Sequence, residues 1–372
     1  MGVIIIKVLI SGGGTAGHIN PALSIANEIK RKNPNAKIMF VGTKRGLEST
    51  LVPQEGYPIK FIDVSGFLRS LSLKNIKIAF KALKAKSDAK KIIKEFSPDF
   101  AIGTGGYVSG PLLSAAQKMG IKTFIHEQNA YWGVTTRLLA KKADKIFVSF
   151  EPNEEQKKQY GDRLVVTGNP IRNDILSLDK SSSRRVLGID ERPFVVSFGG
   201  SLGAKRINDA ALGMLEESKK DSRFIHLHAT GKRDKEYMKQ ELKKRGLGFT
   251  SSGDIRVIEY IHDMPRVLAA ADLVICRAGA ITLAELAAIG KPAIIIPSPN
   301  VSENHQYKNA KVFADKDAAV LIEDKDLTAE LLYTTVKEII SQNRLEQMSS
   351  NMLKFKKENA VSDIVSSIFK EI

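Results

Sequence analysis

The stretch IIIKVLISGGGTAGH, residues 4–18, decides the fold. A continuous β-branched run ends in three glycines, and an amphipathic segment follows. Uninterrupted apolar runs of this kind belong to strands buried on both faces, as in a parallel sheet covered by helices on each side. Glycines let backbone approach a ligand closely, and a helix N-terminus favours negative charge. The spacing Gly12-x-Gly14-x-x-Gly17 matches the dinucleotide fingerprint. That fingerprint also wants an acid about 20 residues on to hold a ribose hydroxyl. Here the second strand ends Val41-Gly42-Thr43-Lys44 without one, which counts against a nicotinamide dinucleotide.

The same grammar recurs along the chain. Ile4–Ile10, Ile38–Val41, Phe100–Gly103, Thr123–His126 and Lys145–Ser149 form a first series of expected strands. Phe194–Phe198, Phe224–Ala229, Ile255–Glu259, Leu273–Cys276, Ala293–Ile296 and Ala319–Ile322 form a second. Helical segments separate them, so the class is α/β, doubly wound. The series restarts where Phe194–Phe198 runs into Gly199-Gly200-Ser201-Leu202-Gly203-Ala204. Two Rossmann-like halves follow, 1–168 and 169–349, with the boundary near Gly168-Asn169-Pro170 and the chain from about 350 to 372 returning to the first half. Val361, Ile364, Val365, Ile368, Phe369 and Ile372 fall on one helical face that must dock. Asp179–Arg185 reads as a polar surface loop.

The 372 residues carry 57 Lys plus Arg against 41 Asp plus Glu, a formal charge of +16. Such a surplus asks for an acidic partner: nucleic acid, an anionic membrane surface or phosphorylated substrates. No Lys/Arg segment is interleaved with stacking aromatics, which argues against single-stranded nucleic acid. A single cysteine, Cys276, excludes an intramolecular disulfide and a Cys-based zinc site, and suits a reducing cytoplasmic compartment. No run approaches the ~18 apolar residues of a membrane span.

The candidate chemistry sits at strand ends. His18 opens the first helix beside the glycines and either accepts a proton from a hydroxyl nucleophile or merely hydrogen-bonds. Gly103-Thr104-Gly105-Gly106-Tyr107-Val108-Ser109-Gly110 is a second glycine-rich turn, expected at the same sheet edge, so the two loops together would make a backbone-lined anion site. His126-Glu127-Gln128-Asn129 follows another strand and suits sugar hydroxyls or a buried capping network. Arg277-Ala278-Gly279-Ala280-Ile281-Thr282-Leu283-Ala284-Glu285 places a carboxylate early in a helix, where it can take ribose hydroxyls or satisfy the helix dipole. In His305-Gln306-x-x-Asn309 the amides share a helix face and either read a sugar or lie exposed. Asp315-Lys316-Asp317 and Asp324-Lys325-Asp326 read as solvated turns, and no metal site is expected. In Ser72–Lys94, Ile76, Ala79, Phe80 and Leu83 make an apolar face while Lys74, Lys77, Lys81 and Lys84 lie largely away from it, after Phe67 and Leu68. A basic amphipathic helix reads as membrane-surface binding, against the alternative of an ordinary solvated helix.

The segments GGGTAGHINPALSIA, GTGGYVSGP, HEQNA, TGNPIR, SFGGSLGAKRIN, EYIHDM, CRAGAITLAEL and NHQYKNA, in that order, resemble the UDP-N-acetylglucosamine–lipid I N-acetylglucosaminyltransferase family of peptidoglycan synthesis, the MurG family. The resemblance implies a GT-B architecture, two Rossmann-like domains facing across a cleft. It also implies inverting transfer of GlcNAc to the MurNAc C4 hydroxyl of undecaprenyl-pyrophosphoryl-MurNAc-pentapeptide (lipid I), giving lipid II, with no cofactor or metal required. Carried onto this sequence, the donor side holds Thr15, Gly17, Asn129, Arg172, Ser201, Ile261, Glu285, His305, Gln306 and Asn309. The acceptor side holds Gly13, Gly14, Gly105, Gly106 and Tyr107. His18 is the expected base, with Glu127 as rival. The implied partners are UDP-GlcNAc, lipid I, an anionic membrane at its cytoplasmic face (through Phe67, Leu68, Ile76, Lys77, Phe80, Lys81 and Lys84) and cell-wall synthesis proteins, with no nucleic acid. Other readings are a related GT-B transferase acting on a different glycolipid, a UDP-sugar epimerase, and an NADP-binding oxidoreductase resting on the first loop alone.

Overall fold

Adjacent residues of the first strand feed opposite cores. Strand β1 spans Lys7–Ser11. Its Leu9 packs with Ala85, Ala89 and Ile93 of helix Lys74–Phe96 and with Leu112 and Ala116 of helix Ser109–Lys118. Val8 and Ile10 pack on the other side with Ile19, Ile25 and Ile29 of helix Ala16–Lys32. Alternation is absent from the sequence because both faces of the strand are interior.

The computed structural model describes residues 5–64, 74–171, 173–220 and 222–372, with the side chains of 74–80, 82 and 173 outside that description. The chain divides into one unit of Met1–Ile171 with Lys357–Ile372 and a second of Arg172–Lys356. In the first, β1 is joined by β2 (Lys37–Gly42), β3 (Ile59–Phe61), β4 (Phe100–Gly103), β5 (Lys122–Glu127), β6 (Lys145–Val148) and β7 (Leu164–Val166). Among the described residues these form a seven-stranded parallel sheet, ordered β3-β2-β1-β4-β5-β6-β7. The second holds β8 (Phe194–Phe198), β9 (Ile225–Ala229), β10 (Ile255–Ile258), β11 (Leu273–Cys276), β12 (Ala293–Ile295) and β13 (Ala319–Leu321), parallel and ordered β10-β9-β8-β11-β12-β13. Both orders are Rossmann orders, reversing direction between β1 and β4 and between β8 and β11. At such a reversal the loops leaving the two central strands diverge and open a ligand crevice. The fold therefore puts Gly12–Thr15 and Thr104–Val108 at one reversal, and Gly199–Ala204 and Arg277–Gly279 at the other.

Helix Ala360–Glu371 returns to the first unit as expected. Ile364, Val365 and Ile368 are fully buried in the Val8 and Ile10 core, and Lys32 Nζ donates to Ser366 Oγ at 2.6 Å. At ~1.5–3 kcal/mol per large side chain, three such residues contribute roughly 5–9 kcal/mol of gross burial, an upper bound.

Three features differ from the sequence reading. Strands β3 and β7 were not anticipated. Both are three-residue edge strands whose residues are partly or wholly exposed, so they lack the doubly buried run that marks the interior strands. The expected loop 179–185 is instead part of helix Lys180–Leu187, capped by Asp179, which accepts from Ser181 N at 2.8 Å, and ended by left-handed Gly188. The chain re-enters the first unit at Lys357 rather than near 350. Helix Arg344–Leu353 stays with the second unit, where Met348 is buried and Phe355 packs on Phe313 at 4.5 Å between ring centroids. Among the described residues no helix is long and apolar enough to cross a membrane.

Candidate active site

The two glycine loops of the first unit interlock. A Cβ on Gly106 would sit 2.3 Å from the Gly13 carbonyl oxygen, and Gly106 has φ of +80°, so only glycine fits there. A Cβ on Gly105 would sit 2.7 Å from His18 Nδ1. Ser109 Oγ ties the pair by donating to Ser11 O at 2.8 Å and sharing Gly105 O at 2.7 Å. Thr15 is the N-cap of helix Ala16–Lys32, yet its hydroxyl makes no capping bond. Tyr107 is exposed and reaches to within 3.3 Å of where a Gly14 Cβ would lie.

One loop donor is already occupied. Gly14 N donates to Glu48 Oε2 at 3.0 Å. Glu48 Oε1 accepts from Thr43 N at 2.9 Å and Thr43 Oγ1 at 2.8 Å, and the residue is only 1% exposed. The end of β2 carries no acid, so nothing local in the sequence signals Glu48. The carboxylate instead comes from the following helix, Glu48–Gln54, and braces the loop from beneath.

His18, Gln128 and His126 form a connected group. His18 Nδ1 lies 3.1 Å from Thr104 O and 3.1 Å from Gln128 Oε1. Gln128 Nε2 donates to Thr104 O at 2.7 Å and lies 2.9 Å from His126 Nδ1. His126 Nε2 lies 3.0 Å from Gly168 O. Burial pushes the His126 imidazole down to about 4, so it is neutral near pH 7.

Glu127 is buried and held by a full set of donors. It is 3% exposed. Oε1 accepts from Asn129 N at 3.0 Å and Asn129 Nδ2 at 3.1 Å. Oε2 accepts from Gly133 N at 3.1 Å and Thr136 Oγ1 at 2.6 Å. Four donors engage the carboxylate and tie it to residues 129–136. Trp132 belongs to the core, 5% exposed with its ring 5.3 Å from that of Tyr160.

In the second unit a cavity of about 710 Å³ opens beside β10. Ser201, Lys232, Glu259, Tyr260, Ile261 and His262 are among its lining residues. Ser201 stands on the loop after β8, held by Lys232 N donating to Ser201 O at 3.2 Å. Gly203 (φ +85°) packs directly on Thr230 O, so the two strand-end loops of β8 and β9 lie against each other. The structure thus brings Ser201 and Ile261 to one cavity, and Glu285, His305, Gln306 and Asn309 are not among its lining.

The expected sugar-reading amides are both engaged within their own unit. Asn309 is fully buried and donates from Nδ2 to Ala278 O at 3.3 Å, and Gln306 Oε1 accepts from Ser298 N at 2.8 Å. The two amides share a helix face, and each bonds a loop of its own unit. Asn309 thereby braces the Arg277–Gly279 loop. His305 Nδ1 lies 2.8 Å from Ser302 O, a local turn contact. Arg277 opens the motif that ends at Glu285 and has a structural role of its own. Its guanidinium donates to Ile296 O and Pro297 O at 3.1 Å each and pairs with Asp324 at 2.5 Å, pinning the loop after β12. Arg172 lies outside the described residues.

Of the basic helix, Phe67 and Leu68 lie outside the described residues, as do the side chains of Ile76, Lys77 and Phe80. Lys84 and Leu83 are exposed, and Lys81 pairs with Asp63 at 3.0 Å. Among the described residues no cluster of three His, Cys, Asp or Glu could hold a metal ion. Asp324 pairs with Arg277 and Asp317 with Arg344.

Residues 8–148 match the glycosyltransferase family 28 N-terminal domain, and residues 194–365 match its C-terminal domain. A protein of Acetivibrio thermocellus, named UDP-N-acetylglucosamine--N-acetylmuramyl-(pentapeptide) pyrophosphoryl-undecaprenol N-acetylglucosamine transferase, is 44% identical over 98% of this chain and 98% of its own. A Desulforamulus reducens protein of the same name is 42% identical over 98% of each chain. Among solved structures, the crystal structure of Acinetobacter baumannii MurG has a TM-score of 0.78 at 29% identity, covering 98% of this chain and 99% of that one. A UDP-GlcNAc 2-epimerase from Neisseria meningitidis shares the fold alone, with a TM-score of 0.65 at 15% identity over 99% and 100% of the two chains.

Proposed function

This chain belongs to glycosyltransferase family 28, and from that premise we infer that it transfers N-acetylglucosamine from UDP-N-acetylglucosamine to the MurNAc of lipid I, forming lipid II for peptidoglycan synthesis. The observation that carries this reading is end-to-end correspondence: 98% of the chain aligns with 98% of a relative named for that transfer. The GT-B pair of Rossmann-like units fits it, with glycine loops at both strand-order reversals. The same end-to-end likeness favours lipid I over another glycolipid acceptor.

An α-linked donor and a β-linked product require inversion at the anomeric carbon, which one displacement achieves. The acceptor C4 hydroxyl attacks C1, its proton passes to a base, and the bond from C1 to the UDP oxygen breaks with its electron pair leaving on UDP. We assign the base to His18. Its Nδ1 is engaged by two oxygens, leaving Nε2 to take the proton. The imidazolium so formed keeps both Nδ1 acceptors, which stabilise its charge. The interlocked loops around Gly13, Gly14, Gly105 and Gly106, with Tyr107, are assigned to the acceptor, and backbone N–H groups there suit its diphosphate. On the donor side, Ser201 and Ile261 are assigned to UDP, supported by their shared cavity, and Glu285 to the ribose. Thr15, Gly17 and Asn129 are assigned to the transferred sugar. The leaving UDP is stabilised by helix N-terminal backbone and Arg172, without a metal cofactor.

The enzyme acts as a peripheral protein on the cytoplasmic face of an anionic membrane, where its lipid-linked acceptor resides. Helix Lys74–Phe96 and the Phe67-Leu68 segment are assigned to that contact, supported by exposed Leu83 and Lys84. Each Lys near anionic lipid is worth about 1 kcal/mol.

The test is transfer of radiolabelled GlcNAc from UDP-GlcNAc to a short-chain lipid I analogue, with and without chelator. Labelled disaccharide-lipid in both arms is the expected result. A folded enzyme that labels no lipid I analogue sinks the acceptor reading, and loss of activity in chelator sinks the metal-free one.

A further inference from the structure

A base works only if its reactive nitrogen carries a lone pair, and in imidazole that depends on which nitrogen holds the hydrogen. In this protein the choice can be followed through four residues, starting from a group whose role is unambiguous. The Gly168 carbonyl can only accept, so His126 Nε2, 3.0 Å away, carries a hydrogen. Neutral His126 then has a lone pair on Nδ1, which accepts from Gln128 Nε2 at 2.9 Å. The second hydrogen of that amide goes to the Thr104 carbonyl at 2.7 Å. Both donors of Gln128 are thereby spent, and its oxygen is directed at His18 Nδ1, 3.1 Å away. His18 Nδ1 also faces the Thr104 carbonyl at 3.1 Å. Only an N–H satisfies two oxygens at once.

We propose that Gln128 is a positioning residue: with His126 and Gly168 behind it, its buried amide locks His18 in the Nδ1–H tautomer and so makes Nε2 the basic atom. The proposal deepens the reading of His18 as base and rests on it.

The amide cannot serve in the opposite orientation. Turned over, its oxygen would meet the Thr104 carbonyl and the His126 Nδ1 lone pair, two repulsive contacts in place of two hydrogen bonds, while its NH₂ would confront the His18 N–H. Gln128 is 2% exposed, His126 1% and Thr104 0%, so water cannot readily repair such mismatches. Thr104 is itself fixed, since its N donates to Ser11 O at 2.9 Å and its Oγ1 to His18 O at 2.7 Å. The far end is fixed too. Gly168 has φ of +87°, a Cβ there would lie 2.5 Å from Lys357 Cβ, and Asn169 Nδ2 donates to Gln128 O at 3.0 Å. The last residues of the first unit before the chain passes to the second thus set the tautomer of a histidine on its first helix.

The direct test is long-range nitrogen-15 correlation NMR on the full-length protein labelled at its six histidines, with His18 assigned by loss of its signals in His18→Asn. The expected spectrum has His18 Nδ1 protonated and Nε2 as the unprotonated nitrogen. A protonated Nε2 in the neutral ring overturns the proposal. Gln128→Met keeps the bulk of the side chain and removes the amide. It should move the His18 nitrogen signals toward tautomer averaging and lower kcat about tenfold, part of the roughly 10²–10⁴-fold that a general base supplies, with KM for UDP-GlcNAc within about twofold. Unchanged His18 signals in that variant also overturn it. Should Gln128→Met not fold, the wild-type spectrum still decides. The base reading fails separately: full turnover in His18→Gln would remove it while leaving the tautomer assignment intact.

Discussion

His18 Nδ1 and Gln128 Oε1 lie 3.1 Å apart although 110 positions separate them in sequence, one on the first helix and the other just past β5. Parallel neighbours β1, β4 and β5 bring the ends of their strands to one edge, and the contact follows from that order.

His18→Ala and Glu127→Gln should fail in different ways. Removing the base should lower kcat by roughly 10²–10⁴-fold with little change in melting temperature. Glu127→Gln turns one accepting oxygen into a donor facing existing donors, a loss of about 1–3 kcal/mol of stability. Steady-state kinetics beside thermal denaturation separates the two. A Glu127→Gln enzyme of wild-type stability that has lost all turnover would return the base role to Glu127.

Gly106→Ala should uncouple the glycine loops. The added Cβ meets the Gly13 carbonyl at 2.3 Å in a left-handed backbone. The expected outcome is a rise in KM for the lipid acceptor, larger than any change for UDP-GlcNAc, and strain of about 1–3 kcal/mol. Equal changes for both substrates would argue against an acceptor role for this loop.

Truncating Ile368 to Ala should cost about 2–5 kcal/mol, as for other fully buried aliphatic residues, because the C-terminal helix closes the Val8 and Ile10 core. Chemical denaturation measures it. A cost under 0.5 kcal/mol would mean that the helix is only loosely docked.

Stability should fall on mild acidification. Burial pushes His126 and His228 down to about 4 and holds His226 well below its ordinary value, its coulombic neighbour His228 adding to the effect. An unfolded imidazole takes its proton near pH 6.5. Below that pH the unfolded chain binds protons that the folded chain refuses, so the folded state loses about 1.4 kcal/mol per group per pH unit until its own pKa is reached. Denaturation midpoints at pH 7.5 and pH 5 should therefore decrease in that order; a flat profile would contradict the burial of these rings.

The Asp179 cap gives a second, lower acid limb. Hydrogen bonds from Ser182 and Ser181 hold its carboxyl at about 2, below its ordinary 3.8. Its contribution is present above pH 4 and is lost as pH falls toward 2. The difference in melting temperature between wild type and Asp179→Ala should accordingly narrow over that range.

By itself the sequence determined the class, the two Rossmann-like halves, the interior strands and the positions of the glycine loops. Each of these is written locally: a strand buried on both faces is an unbroken apolar run, and a turn that backbone must approach closely needs glycine. Edge strands β3 and β7 escaped because one side of an edge is solvent, and the 180–187 helix escaped because it is polar with its signal confined to its caps. What only the tertiary structure decided is where polar side chains spend their hydrogen bonds. Glu127 accepts from Asn129, Gly133 and Thr136, and Asn309 donates to the Ala278 carbonyl, none of which the sequence names as their partners. Glu48 and Gln128 carry no individual signal in the sequence, yet they brace the first glycine loop and His18 beside it. Hydrogen-bond partners are chosen by distance in space, and in a parallel sheet the residues meeting at one edge come from strands dozens of positions apart.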